Sequence, residues 1–251
     1  MINDNPKYRK ALFLVWVFLL AGVAVAADPV EKDQMNNEEK IWAMAGFNKP
    51  KIEFIDVNEF YKKMQQEFTH SFDLTLVMFR DTGWSKKLII QRLRKAASIY
   101  ARCGVRLGQV KFVEAGAPGG VIDFGSPGAG DVEIAQKVPS TFRPVLFYFR
   151  SIPKFNAYAW PENSEAEVSD ALKNTAWFSL SVTMKLNINI RHPNYVSEAH
   201  ELGHILLDSL AHVGTGVMNL MAASYDYEND QLTADQCRKI KEHHLVSQIS
   251  H

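Results

Sequence analysis

One stretch of the chain, AHELGHILLDSLAHVGTGVMNLM at residues 199–221, constrains the fold more than any other. It contains the pattern His-Glu-x-x-His among residues of which few are charged. On a helix, His200 and His204 are four residues apart and therefore lie on the same face. Two imidazoles at this spacing can bind one tetrahedral zinc ion. The fold must therefore bury most of a helix, predicted over 195–209, and bring a further ligand to its histidine face.

The glutamate of the pattern, Glu201, lies one position further along the helix, which is about 100° around its axis. It would not bind the same ion, but it can reach a water on that ion. Zinc lowers the pKa of such a water to about 7, and a neighbouring carboxylate then takes the proton as a general base. The alternative is a buried helix without metal, which would desolvate three polar groups at once. We therefore predict one Zn²⁺ per chain, with Glu201 as the general base.

The third ligand is less well defined by the pattern. His212 is favoured, because glycines at 214 and 216 end the helix and a chain that doubles back brings His212 under the first two histidines. Asp208 and Glu228 stay open as alternatives, although Asp208 is one turn too far along and Glu228 lies in a polar stretch typical of a loop. Gly203 in mid-helix costs about 1 kcal/mol relative to Ala. It therefore indicates close approach by a neighbouring segment.

The order of these features resembles the metzincin metallopeptidases, and the chain is similar to uncharacterised secreted bacterial proteins. The features are HELGH, a nearby histidine, NLM and then a C-terminal helix. The resemblance implies a single zincin domain with an active-site helix, a methionine turn and a C-terminal helix. It also implies the site residues: zinc ligands His200, His204 and His212, base Glu201, and turn methionine Met221.

Three further points follow from this resemblance. Met218 is the alternative turn methionine, although NLM favours Met221. In some relatives a tyrosine after the turn is a further ligand or an oxyanion donor, which makes Tyr225 and Tyr227 candidates. The family pattern HExxHxxGxxH has Gly and His where this chain has leucines, at 207 and 210. The connection to the third histidine is therefore two residues longer here and lacks the glycine that makes the turn.

The rest of the chain predicts an α+β (α/β-like) fold, in which a mixed, twisted sheet is backed by a long helix. A capping box of Thr233 and Gln236 predicts the start of the last helix. The Gly- and Pro-rich segment 116–130 is typical of a surface loop. Hydrophobic periodicity predicts helices over 58–68, 85–104 and 195–209, and strands over 72–79, 105–115, 143–150, 155–160 and 176–188.

The N-terminus has the features of a secretory signal peptide. A basic head is followed by an apolar run over 11–20 and by small residues that end in Ala24-x-Ala26. We expect three regions: a signal peptide over 1–26, a mature N-terminal segment over 27–70 whose polar start is mobile, and a zinc metallopeptidase domain over 71–251. We therefore expect a secreted or periplasmic protein without stable membrane association after cleavage.

Two cysteines, Cys103 and Cys237, are present in the whole chain. Cys103 ends the apolar stripe of the long helix, and the capping box places Cys237 at a helical position that packs inward. In an oxidising compartment such a pair can form one disulfide, which we favour over two separate buried thiols.

The formal net charge of 0 gives no electrostatic basis for binding nucleic acid. We therefore predict a secreted zinc-dependent endopeptidase with a protein or peptide substrate. One alternative is a secreted zinc-binding module that serves in interaction or inhibition without catalysis. Glu201 argues against it, because a structural zinc site is closed by four protein ligands and needs no base. Another alternative is a zinc amide hydrolase acting on cell-wall material.

Overall fold

The computed structural model describes residues 35–123, 130–151, 157–163, 169–181, 196–214, 218–223 and 229–250. The predicted signal peptide, Tyr225, Tyr227 and Glu228 lie outside these ranges. The described helices are α1 (Asn37–Met44), α2 (Asn58–Tyr61), α3 (Lys86–Ala101), α4 (Asp131–Lys137), α5 (Ser197–Leu206) and α6 (Ala234–Glu242). The described strands are β1 (Asn48–Ile55), β2 (His70–Phe79), β3 (Val105–Gly116), β4 (Val145–Ser151), β5 (Ala157–Trp160), β6 (Thr175–Ser181) and β7 (Ser247–Gln248).

The strands form one mixed seven-stranded sheet, as the α+β prediction requires. Six strands follow the order β1-β3-β2-β4-β6-β5, and β7 pairs with the start of β2. The central strands β3, β2, β4 and β6 are parallel to one another, whereas β1, β5 and β7 pair antiparallel with β3, β6 and β2, respectively. Helix α3 connects β2 to the parallel strand β3, which is the long crossover that a parallel pair needs.

Two hydrophobic clusters lie on opposite faces of the sheet, because successive strand residues point to opposite sides. In β2, Leu74 and Leu76 belong to the cluster that packs against α3, α5 and α6. Val77 and Phe79 belong to the other cluster, which includes residues of α1 and α4. The candidate site lies on the α5 side, so the packing of α3 and α5 is what positions it.

The long helix α3 is formed as its periodicity predicts. Ser85 caps its first turn by accepting a hydrogen bond from the backbone N–H of Leu88. The stripe of apolar side chains predicted to face inward is buried throughout, from Ile89 to Tyr100 and on to Cys103. Tyr100 then contacts the site helix directly, because its hydroxyl donates a hydrogen bond to the carbonyl of Ala199 at 2.7 Å.

The polar segment predicted as mobile instead contributes α1 and β1 from Asn37 onward. Asn36 and Glu39 form a capping box at the start of α1. Strand β1 is the edge strand beside β3 and leaves most of its side chains exposed, so its sequence is polar despite its place in the sheet. The predicted helix over 58–68 is also shorter, since α2 ends at Tyr61. Helix α4, at residues 131–137, was not predicted.

A disulfide joins Cys103, just after α3, to Cys237 in the first turns of α6, as predicted. Their Cα atoms are 5.1 Å apart, and 134 residues separate them in sequence. The covalent link therefore fixes the C-terminal helix to the helix that supports α5. None of the helices in the described part of the chain is long and apolar enough to span a membrane.

Candidate metal centre

Helix α5 carries the His-Glu-x-x-His pattern and is buried along its whole length. His200, Glu201 and His204 are each at most 3% exposed. The four-residue spacing brings the two histidine rings together, with their Nε2 atoms 3.0 Å apart. The helix therefore presents two imidazole nitrogens at one point of the interior, as the spacing predicts.

Both rings are oriented by backbone carbonyls that lie beyond the end of α5. Nδ1 of His200 is 2.6 Å from the carbonyl oxygen of Leu220, and Nδ1 of His204 is 2.7 Å from that of Ser209. A carbonyl oxygen only accepts hydrogen bonds, so each Nδ1 carries the proton and donates it. Each Nε2 is then the unprotonated nitrogen, which is the tautomer that binds a metal through Nε2.

His212 completes a group of three rings. Its Nε2 lies 3.2 Å from Nε2 of His200 and 3.3 Å from Nε2 of His204. Within the described residues, these three side chains are the one group of histidines, cysteines and carboxylates close enough together to hold a metal ion. His212 is exposed, unlike the two helix histidines, and so forms the solvent side of the group.

The spacing and chemistry of the three nitrogens fit a zinc ion. Tetrahedral ligands with Zn–N bonds of about 2.0–2.1 Å place their nitrogens about 3.3–3.4 Å apart, close to the 3.0–3.3 Å found here. Burial, with the neighbouring rings, lowers the pKa of His200 to about 3, and burial lowers that of His204 to about 4. Both rings are therefore neutral at physiological pH, the form in which imidazole binds a metal ion.

The chain turns toward His212 through a Schellman motif at the end of α5. Asp208 adopts a left-handed conformation with φ of 51°. Its N–H bonds to the carbonyl of Ile205, and the N–H of Ser209 bonds to that of His204, both at 3.0 Å. Glycine is usual at the left-handed position, but aspartate tolerates it. Asp208 thus makes the turn without a glycine. It lies one residue after position 207, where the metzincin pattern has its glycine.

The side chain of Asp208 binds Asn163 and is not part of the histidine cluster. Its carboxylate accepts hydrogen bonds from the backbone N–H of Asn163, at 2.7 Å, and from the side-chain amide of the same residue. These contacts hold the left-handed turn and direct the carboxylate away from the three imidazoles. Of the sequence alternatives to His212, Asp208 is thus not part of the cluster, and Glu228 lies outside the described residues.

A tight turn containing Met221 packs beneath α5. The N–H of Ala222 bonds to the carbonyl of Asn219 at 3.0 Å, and the N–H of Met221 bonds to the Asn219 side chain at 2.9 Å. Met221 is buried, whereas Met218 is 54% exposed. A Cβ added to Gly203 would lie 2.5 Å from the sulfur of Met221. This close approach is the reason for a glycine in the middle of the helix.

Glu201 is buried on α5, one residue after His200. Its charge contributes to raising the pKa of Tyr158 on β5, after burial and Asp131, and that of Tyr100 on α3, after burial. Tyr158 in turn donates a hydrogen bond to Asp131 at 3.0 Å.

A buried ion pair that the sequence analysis missed fixes the start of α5. The guanidinium of Arg92 on α3 donates to the carboxylate of Glu198 at 2.7 Å, and also contacts the hydroxyl of Ser197. The two charged side chains are 2% and 0% exposed. An arginine in the apolar stripe of α3 was the available signal, because buried charges are normally paired.

Comparison with known proteins finds similarity among solved structures alone. No family model and no curated protein matches the chain. Among solved structures, the crystal structure of metalloproteinase-II from Bacteroides fragilis matches with 16% sequence identity and a TM-score of 0.46. The match covers 71% of this chain and 54% of that one, so the chain spans about half the length of its match.

Proposed function

We propose that this chain is a zinc-dependent endopeptidase of the metzincin type. His200, His204 and His212 are the zinc ligands in this proposal, and Glu201 is the general base. The supporting observation is the convergence of three Nε2 atoms within 3.3 Å of one another. The Nδ1 atoms of the two helix histidines are both committed to carbonyl oxygens. Three imidazole nitrogens that face one point suit a zinc ion.

Each protein group at the proposed site has its own role in hydrolysis. A bound zinc ion would act as a Lewis acid, which lowers the pKa of water and polarises a carbonyl oxygen. Glu201, adjacent to a ligand but not part of the triad, takes the proton of the attacking water and passes it to the leaving amine. Met221 supports the floor of the site through its contact with Gly203. Three protein ligands leave one coordination position open, as catalytic sites require.

The proposed substrate is an extended peptide. Strand β5 pairs with β6 on one side and ends the described order of the sheet. Its other edge can receive an extended chain by strand addition, with backbone groups supplying affinity. Helix α5, which carries the proposed base Glu201, packs against β5. A peptide on this edge would therefore lie beside the helix that carries the proposed base.

The proposed location is extracellular or periplasmic, with removal of residues 1–26. The disulfide between Cys103 and Cys237 supports this, because such bonds persist in oxidising compartments. Determining the N-terminus of the protein recovered from the medium or periplasm tests the proposal. We expect Ala27 as the first residue; recovery of full-length chain from the cytoplasm alone would reject it.

The metal centre is tested by measuring zinc per chain with elemental mass spectrometry. We expect about one zinc in the parent and in Glu201→Gln, and much less in His212→Ala. His244→Ala is the matched control, because His244 is exposed and bonds to Glu162 rather than to the triad. A parent without zinc after reconstitution would reject the metal centre, and unchanged zinc in His212→Ala would reject that ligand.

The reaction is tested with the same variants on an unfolded protein substrate. Loss of a general base typically costs about 10²–10⁴-fold in rate, so we expect Glu201→Gln to retain zinc and lose hydrolysis by that factor. Full activity in Glu201→Gln would reject the proposed base. Hydrolysis of isolated cell-wall material by the parent, without cleavage of any protein, would instead favour an amide hydrolase.

A further inference from the structure

Two side-chain amides, on the methionine turn and on α6, form a reciprocal pair. Asn219 donates from Nδ2 to Oε1 of Gln236 at 2.9 Å, and Gln236 donates from Nε2 to Oδ1 of Asn219 at 3.2 Å. Asn219 is buried and Gln236 is half-buried, so the two bonds are shielded from water. The pair joins two segments that are 17 residues apart in sequence.

The pair acts on the turn that holds the metal ligand His200. Oδ1 of Asn219 also accepts the N–H of Met221, and the backbone carbonyl of Asn219 accepts the N–H of Ala222. Leu220 lies between these bonds, and its own N–H bonds to the carbonyl of Gln231 at 2.7 Å. Its carbonyl oxygen is the acceptor for Nδ1 of His200. Fixing Asn219 therefore fixes the direction of that carbonyl.

The position of Gln236 is itself fixed by contacts of α6 and of the segment just before it. Its Oε1 accepts the backbone N–H of Thr233 at 2.8 Å, in the capping box of α6. The next residue, Cys237, forms the disulfide to Cys103 beside α3. Asp230, just before α6, bonds to Lys95 of α3 at 2.7 Å. The amide of Gln236 is thus a rigid point relative to α3, the helix against which α5 packs.

We propose that Gln236 is a positioning residue for the metal centre, acting through Asn219 and the Leu220 carbonyl on the orientation and tautomer of His200. The inference rests on the proposed zinc site. Partners that orient a metal-binding histidine typically change metal affinity by about 10–100-fold when removed. Gln236 acts through two intermediate contacts, so we expect about a 10-fold effect, at the low end of that range.

The experiment compares the zinc dissociation constants of Gln236→Met and Thr233→Val, measured by competition with a chromophoric chelator. Each substitution is near-isosteric, adds no charge and removes one side-chain hydrogen bond of the capping box. Only Gln236→Met also removes both bonds to Asn219. We expect about a 10-fold weaker zinc affinity in Gln236→Met and the parental affinity in Thr233→Val. Both variants should lose thermal stability, and Gln236→Met should lose more because it also leaves the buried amide of Asn219 unpaired.

Asn219→Ala and the double variant Asn219→Ala/Gln236→Met complete a double-mutant cycle. If Gln236 acts through Asn219, the double variant binds zinc no more weakly than Asn219→Ala alone. Parental affinity in Gln236→Met, equal weakening in Thr233→Val, or additive effects in the cycle would each overturn the inference. A parent that binds no zinc would instead reject the proposed function, so the two failures are distinguishable.

Discussion

Removing the disulfide is expected to cost the protein much of its stability. The variant is Cys103→Ala/Cys237→Ala, which keeps both positions apolar and removes the covalent link. Chain-entropy theory gives a loss that grows with the logarithm of the closed loop. For the 134-residue separation found here, it predicts a decrease of about 5 kcal/mol in the free energy of unfolding at 25 °C. Single domains have about 5–15 kcal/mol in total.

Urea unfolding followed by tryptophan fluorescence measures this loss. The link restricts the unfolded chain, so its removal should expose more surface on unfolding. The slope of the unfolding free energy against urea concentration should therefore also increase. The parent in reducing buffer is the control and should behave like the variant. A loss below about 1 kcal/mol would refute the loop-closure reasoning. Free thiols in the unreduced, denatured parent would show that the bond is absent.

Three further predictions concern the supports of α5. Arg92→Met leaves Glu198 buried without its arginine and should lower the free energy of unfolding, measured with urea, by about 3–5 kcal/mol. Adding Glu198→Gln should restore part of this free energy. A double variant no more stable than Arg92→Met would contradict the pairing. Gly203→Ala gains about 1 kcal/mol of helix propensity but forces the Met221 sulfur to move, at about 1–3 kcal/mol. We expect a net loss of up to about 2 kcal/mol, and a stabilised variant in thermal unfolding would contradict the contact. Partial burial raises the pKa of Asp230, but its paired lysine and arginine outweigh this and lower it. Its ion pairs therefore stabilise the fold above the ordinary pKa of about 3.9 and lose that effect as the pH falls, so the stability difference between parent and Asp230→Asn should shrink below about pH 4.

The sequence predicted those parts of the site that depend on helical spacing. The shared face of His200 and His204 follows from a four-residue separation, and the structure brings their nitrogens to 3.0 Å. Gly203 predicted a close neighbour, which is the sulfur of Met221. Both inferences needed only the geometry of one helix, which the local sequence determines.

The parts that were missed depend on contacts between distant segments. The polar composition of β1 concealed a strand, because an edge strand leaves most of its side chains in water and receives its hydrogen bonds from β3. Arg92 pairs with Glu198, which is 106 residues away in sequence, so helical periodicity does not reveal this contact. Gln236 was recognised as a capping residue, but its second partner, Asn219, follows from the tertiary fold alone.

The longer connection to His212 is compatible with the proposed three-histidine site because backbone atoms orient the two helix histidines. The acceptors for the two helix histidines are carbonyl oxygens, of Ser209 and Leu220, which any side chain at those positions could supply. The loop between the ligands can therefore change length and lose its glycine, provided that one residue adopts the left-handed turn, as Asp208 does. What must then stay fixed is the path of the backbone after α5. In this chain the disulfide and the Asn219–Gln236 pair hold that path, and neither is part of the His-Glu-x-x-His pattern.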